Sequence, residues 1–122
     1  MSRPSFGVAF AEALAKKDFG TVAEILDPDV DFRGMTPNRF WEARGSDAVV
    51  SEVLKEWFLD SDEVEELVEV SSGEVADREH VAYRIRGHNP EGPFVVEQQA
   101  YLTVEDGRIV WMRVLCSGFR PT

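Results

Sequence analysis

The chain has little of what usually betrays a dedicated chemistry. One cysteine in 122 residues excludes an internal disulfide, and no paired-cysteine, zinc-protease, phosphate-loop or dinucleotide-binding spacing occurs. The two histidines, His80 and His88, border one strand candidate and its turn without metal-ligand spacing. The acidic run LDSDEVEELVEV lacks the glycine and ligand spacing of a calcium loop and reads as a solvated strand edge. No metal site and no cofactor are expected. Basic residues number 13 against 23 acidic ones, a net charge of -10, which repels phosphate backbones and anionic membranes and argues against both as partners. No apolar run approaches the roughly 20 residues needed to span a bilayer. Ahead of the first apolar stretch stands only Arg3, and Glu12 interrupts that stretch, so Ala13-Leu14-Ala15 makes a poor secretory cleavage site. With its lone Cys116, the chain is expected in a reducing, cytoplasmic setting.

What is present is enough for one domain over residues 1–122, a length that hides roughly two thirds of the unfolded surface. From Ser5 to Lys17, Phe6, Ala9, Phe10, Ala13 and Leu14 recur at helical spacing. Asp18 is placed to cap a second, short helix that buries Val22, Ile25 and Leu26 and stops at Asp27-Pro28. A brief strand from Val30 to Arg33 follows, then a stretch from Gly34 to Gly45 that reads as irregular although it carries Met35, Phe40 and Trp41. Ser46 is expected to cap a third helix with Val49, Val50, Val53, Leu54, Trp57 and Phe58 on one face. From Glu63 the period changes towards two, through four strand candidates with turns at Ala76 to Arg78, Asn89 to Pro93 and Glu105 to Gly107. Helices first and strands last predict an α+β fold: a cone-shaped, curved antiparallel sheet packed against three N-terminal helices.

Parity assigns the two faces of that sheet. Val81, Tyr83 and Ile85 share one face; Val96, Gln98, Ala100, Leu102 and Val104 match them on the next strand, and Met112, Val114 and Cys116 on the last. These should face the helices. Arg84, Arg86, Glu97, Tyr101, Trp111, Arg113 and Leu115 then point outward, a composition suited to a protein interface.

This layout resembles the nuclear transport factor 2-like superfamily, in particular its SnoaL-like branch. The resemblance is carried by FAEALAKKDFGTVAEILDPDVDFRG at the start, the helix after RGSDAV, and the hairpin YLTVEDGRIVWMRV at the end. It implies a cone of helices against a curved sheet that pairs through its outer face, a fold that hosts isomerases, polyketide cyclases, epoxide hydrolases and non-catalytic binding modules. Carried over residue by residue, the ketosteroid isomerase pattern finds Phe10 where it has a tyrosine. Its proton-shuttling aspartate falls at or beside Gly34, and its protonated aspartate near Gln98 to Ala100. The epoxide hydrolase pattern finds Arg84 and Arg86 without a neighbouring aspartate, and the cyclase base falls where Gln98 stands.

The sequence therefore predicts a homodimer with an apolar cavity for a small hydrophobic molecule, lined by Phe10, Trp41, Tyr83, Gln98, Met112, Val114 and Cys116. Phe40 and Trp41 serve either as a lid or as packing. Should the cavity be catalytic, acid-base isomerisation or cyclisation of a carbonyl compound fits best, with Tyr83 polarising the oxygen and Asp31 as base. Arg84, Arg86, Tyr101, Trp111, Arg113 and Leu115 form the dimer face. The alternative is a non-catalytic interaction module that offers this outer face to another protein. Cys116 is expected to be structural rather than a nucleophile activated by His88.

Overall fold

In the computed structural model, which describes residues 5–122, α1 spans Phe6–Ala15 and α2 spans Phe19–Ile25; Arg3 lies outside the described residues. Both helices start where the sequence supplies an acceptor for the first free backbone N–H groups. The Ser5 hydroxyl accepts from the Val8 N–H at 3.0 Å. The Asp18 carboxylate accepts from Thr21 N–H at 3.2 Å and from its hydroxyl at 2.7 Å; these bonds, the side-chain one first, hold its pKa below the ordinary value. Glu79, on a distant strand, adds a carboxylate at the positive end of α1, accepting from Ser5 Oγ at 2.6 Å and from Gly7 N–H at 2.8 Å.

Seven strands follow: β1 (Leu26–Thr36), β2 (Arg39–Arg44), β3 (Glu63–Val75), β4 (Arg78–Asn89), β5 (Gly92–Glu105), β6 (Arg108–Cys116) and β7 (Arg120–Pro121). They form one sheet in the order β2-β1-β6-β5-β4-β3, with β7 beside β5. The predicted α+β architecture holds, with helices on the inner face of a curved sheet. Pairing is antiparallel wherever short turns connect neighbours, from β3 through β6 and in the β1–β2 hairpin. The β1–β6 junction is parallel, so the sheet is mixed and not the wholly antiparallel one that the strand pattern predicts. These two strands are far apart in sequence, and no tight turn dictates their relative direction.

Other expectations also need correcting. The strand read as Val30 to Arg33 runs from Leu26 to Thr36, because the chain passes from α2 directly into the sheet across an irregularity between Leu26 and Asp31. The stretch from Gly34 to Gly45 is not irregular: it is the β1–β2 hairpin, with Gly34 opposite Trp41 and Met35 opposite Phe40, turning through Asn38 at φ 68°. Gly34 is there for space rather than flexibility, since a Cβ on it would lie 2.7 Å from Trp57 Cη2. Finally, the N-cap of the third helical stretch is Gly45, at φ +92°, not Ser46. That stretch runs as α3 (Ser46–Ala48), a π-helical segment (Val49–Leu54) and α4 (Lys55–Trp57). Its widened turn is compatible with Val49, Val50, Val53, Leu54 and Trp57 all being buried.

The described core lies between these helices and the inner sheet face, with Phe10, Leu14, Phe32, Phe58, Leu102 and Met112 each under 2 % exposed. Parity holds along β4 and along β5 as far as Leu102. The register of β5 with β6 shifts between Thr103 and Val104, so Ile109 and Met112, three positions apart, are both buried while Val104 is only half-buried. At the opposite edge, Lys17 Nζ donates to the carbonyls of Leu59 at 2.6 Å and Asp62 at 2.8 Å. The buried Asp62 carboxylate accepts from Leu59 N–H and Asn89 Nδ2, both at 3.0 Å. That network commits Asp62 to holding the loop into β3.

Candidate functional site

On the inner wall, Tyr83, Gln98 and Cys116 stand side by side because β4, β5 and β6 pair them in register. The Tyr83 hydroxyl donates to Gln98 Oε1, Gln98 Nε2 donates to Cys116 Sγ at 3.3 Å, and the Gly118 N–H donates to the same sulfur at 3.4 Å. All three side chains are buried. Burial, and secondarily the proximity of Cys116, pushes the Tyr83 hydroxyl far above its ordinary pKa, so it keeps its proton and acts only as a neutral hydrogen-bonding group. The sulfur receives two donors and meets no base. His88 is occupied on the exposed side of the sheet, its ring nitrogens each 2.8 Å from a carboxylate oxygen of Glu63 and Glu65.

The other candidates for the ligand site divide by position. Phe10 and Met112 are fully buried and Val114 nearly so. Trp41 is half-buried on β2, edge-on to Trp57 with ring centroids 6.0 Å apart. Its Nε1 donates to Thr36 Oγ1 at 2.8 Å, and the Arg39 guanidinium lies 3.6 Å over its ring. Asp31 is not brought to Tyr83. It alternates with buried Val30 and Phe32 and so faces the outer side, where Arg113 Nη1 lies 3.2 Å from its carboxylate. A base and a hydroxyl on opposite faces of one sheet cannot serve the same substrate, so the Asp31–Tyr83 pairing expected from the sequence is not formed.

The outer face gathers the residues assigned to it. Arg84 pairs with Glu97 at 3.5 Å and Arg86 with Glu66 at 2.7 Å. The guanidinium groups of Arg78, at 3.9 Å, and Arg113, at 4.3 Å, both lie over the Trp111 ring. Tyr101 packs against His80 with the rings tilted by 49°. Two neighbouring grooves, of about 880 Å³ and 490 Å³, share Met35, Gln99 and Leu115. The larger is also lined by Tyr83, Gln98 and Cys116; because their side chains point inward, these residues present main chain to it. Leu115 is 53 % and Phe40 78 % exposed.

Sequence reasoning missed the Arg39–Trp41–Thr36 arrangement, because the hairpin that creates it was read as a loop. It also missed the His88 clamp, whose partners lie on the paired strand β3. That clamp makes a testable prediction. Hydrogen bonds that the charged ring donates to the carboxylates of Glu65 and then Glu63 raise the His88 pKa above 6.5. Stability from the charged ring is therefore fully present below pH 6.5 and lost as pH rises through the higher folded-state value. The melting-temperature advantage of the wild type over His88→Gln should shrink from pH 6 to alkaline pH in thermal scans; an advantage independent of pH would refute the clamp.

Comparison with known proteins places this geometry in context. The family model described as a SnoaL-like domain matches residues 8–112. A search of curated protein sequences returned no match. Among solved structures, a candidate isomerase from Rhodopseudomonas palustris superposes with a TM-score of 0.73 at 21 % identity, over 97 % of this chain and 93 % of that one. A candidate polyketide cyclase from Pseudomonas putida KT2440 gives 0.70 at 14 % identity, over 93 % and 90 %. A protein of ketosteroid isomerase-like fold from Catenulispora acidiphila, in complex with trimethylamine, gives 0.69 at 13 % identity, over 95 % and 88 %. At these identities the likeness concerns the fold.

Proposed function

The chain belongs to the SnoaL-like domain family, and on that premise we propose that it binds a small hydrophobic molecule between the inner sheet wall and the helices, with Tyr83 and Gln98 as the polar pole. The observation that carries this reading is the Tyr83–Gln98–Cys116 row on a wall otherwise formed by apolar side chains. Among the described residues the buried polar or charged ones are Asp62 and Gln98, and Asp62 is committed to its loop. Binding is favoured over turnover because this wall presents no free carboxylate. In the ketosteroid isomerase pattern the tyrosine matches Phe10, the proton-shuttling aspartate falls at or beside Gly34, and the second aspartate falls near Gln98 to Ala100. Any chemistry would be acid-base isomerisation or cyclisation, in keeping with relatives described as candidate isomerase and cyclase. We assign residues 1–122 to one domain and to the cytoplasm, on the single buried cysteine; no helix among the described residues is long and apolar enough to cross a membrane.

Native mass spectrometry followed by denaturing extraction tests the reading: a small apolar molecule should co-purify. Tyr83→Phe should weaken its retention about tenfold by leaving Gln98 Oε1 unpaired. A protein that carries nothing, and whose Tyr83→Phe variant binds every offered apolar compound as the wild type does, would overturn it.

The outer face is assigned to a second copy of the chain. Exposed Leu115, Met35 and Phe40 beside the Arg78–Trp111–Arg113 stack make a patch rich in the residue types that anchor interfaces. Wild-type protein should sediment as a dimer and Leu115→Glu as a monomer, since the variant places a charge in the middle of the shared groove. A wild type that is strictly monomeric would free this face for a different protein, the interaction-module reading.

A further inference from the structure

β3 is the last strand on its side of the sheet, so one edge of it has no strand partner among the described residues. At such an edge every second residue directs its N–H and C=O away from the sheet, a template for another strand. Proteins blunt these edges with short strands, bulges, proline or charged side chains. The opposite edge, β2, is only 6 residues long and carries Arg39, Glu42 and Arg44. The first half of β3 is also blunted: its register with β4 breaks between Val64 and Glu66 and again between Leu67 and Glu69, and Lys16 and Lys17 stand across a groove from it. From Val70 to Val75 the edge lies open. The register there is unbroken, from Val70 opposite Tyr83 to Val75 opposite Arg78. The sequence VSSGEV holds no proline and no basic residue, and Val70 and Val75 are 37 % and 51 % exposed.

The chemistry beside this half identifies what fits it. Ser72 and Glu74 lie opposite Val81 and Glu79, on the inner side, and border a groove of about 690 Å³ there. Phe6, Leu102 and Val104 give that groove apolar walls, and Glu74 and Asp77 bring carboxylates to it. Glu74 and Glu79 are like charges directly opposite on paired strands, an arrangement that a cation relieves. Glu79 is committed to Ser5 and Gly7, whereas no ion pair joins Glu74 or Asp77 to a cation among the described residues. Arg78 also borders the groove but carries its guanidinium over the Trp111 ring on the outer face. Apolar walls that end in carboxylates suit an arginine or lysine side chain, whose stem is apolar and whose head is a cation.

We propose that the Val70–Val75 edge accepts an extended basic segment of another protein, which adds to the sheet as a strand and places an arginine or lysine in the groove beside Glu74. Main-chain hydrogen bonds along the edge supply affinity, and the acidic groove selects the cation. A second copy of this chain is the poorer occupant: β3 holds five glutamates and no basic residue, so edge-to-edge pairing brings two acidic strands together. The site is separate from the inner wall and from the outer patch, and it stands whatever those two hold.

The test titrates ¹⁵N-labelled wild-type protein with three peptides: acetyl-TVRVRVT-amide, its acidic counterpart acetyl-TVEVEVT-amide, and acetyl-TVRPRVT-amide, which keeps the charge but cannot pair as a strand. The first should bind about tenfold tighter than either control and slow hydrogen exchange at alternate amides of Val70–Val75. Glu74→Gln should weaken its binding about fivefold at an unchanged melting temperature. Equal binding of the three peptides, no binding by the first, or binding without slowed exchange at this edge would overturn the proposal. Slowed exchange at the same amides in concentrated protein alone, lost on dilution, would assign the edge to a second copy and overturn it as well.

Discussion

Replacing Gly87 by alanine is expected to cost about 3 kcal/mol of stability, at the upper end of the range for overpacking, and to lower the melting temperature by roughly 10 °C. The reason is backbone on backbone. A Cβ at this position would lie 2.1 Å from the carbonyl oxygen of Glu63 and 2.8 Å from Phe94 Cζ. A carbonyl in a sheet cannot rotate away as a side chain would, so β3 must separate from β4 where Val64 pairs with Gly87. Gly73, on β3, provides the internal control: nothing lies within 4 Å of its added Cβ, and alanine there should be neutral or slightly stabilising through the unfolded chain. Equal losses at the two sites in chemical denaturation would contradict the described β3–β4 register.

Gln98→Glu is expected to be the second large effect, and its sign depends on pH. Gln98 is 2 % exposed, with Tyr83 on one side and Cys116 on the other. A carboxyl group there would meet one hydroxyl donor and no cation. Full burial raises such a group by about 3 units, which at 1.36 kcal/mol per unit is about 4 kcal/mol. A raised folded-state pKa means that stability is fully present below the unfolded value near pH 4.3 and lost as pH rises through the folded value. The variant should therefore approach wild-type stability at pH 4 and fall furthest behind above neutrality. If instead it tracked the wild type at every pH, Gln98 would be reached by water, and the inner-wall description would be wrong. Because the ketosteroid isomerase pattern places a protonated acid near this position, the same variant also asks whether an acid alone gives the wall proton-transfer activity.

Several features of the fold could be read from residues alone because each rests on local chemistry. Asp18 was recognisable as a cap, and it accepts the expected N–H group. The period-two segments from Glu63 onward became β3 to β6, with their turns where glycine, proline and acidic residues cluster. At the last of these turns Asp106 and Gly107 both adopt left-handed backbone, at φ 52° and 76°. Inner and outer residues on β4, and on β6 from Met112 onward, follow from parity, which by itself puts Tyr83, Gln98 and Cys116 on one face. The hairpin of β1 and β2 was hidden because its glycines read as loop signals. Gly34 in fact answers to Trp57, a neighbour brought by the third helical stretch rather than by sequence.

What the sequence by itself determined is therefore the alternation: which side chains share a face, where helices begin, and that the surface carries net negative charge. Only the tertiary structure decided what stands opposite each face. It set β1 parallel to β6 and turned Asp31 towards Arg113, drew His88 between two glutamates, and left the Trp57 N–H without a partner. The physical reason is one of range. Propensity, capping and parity act between residues a few positions apart, whereas a base meeting its hydroxyl, or a donor its acceptor, depends on strand order and register, which are chosen by the packing of the whole sheet.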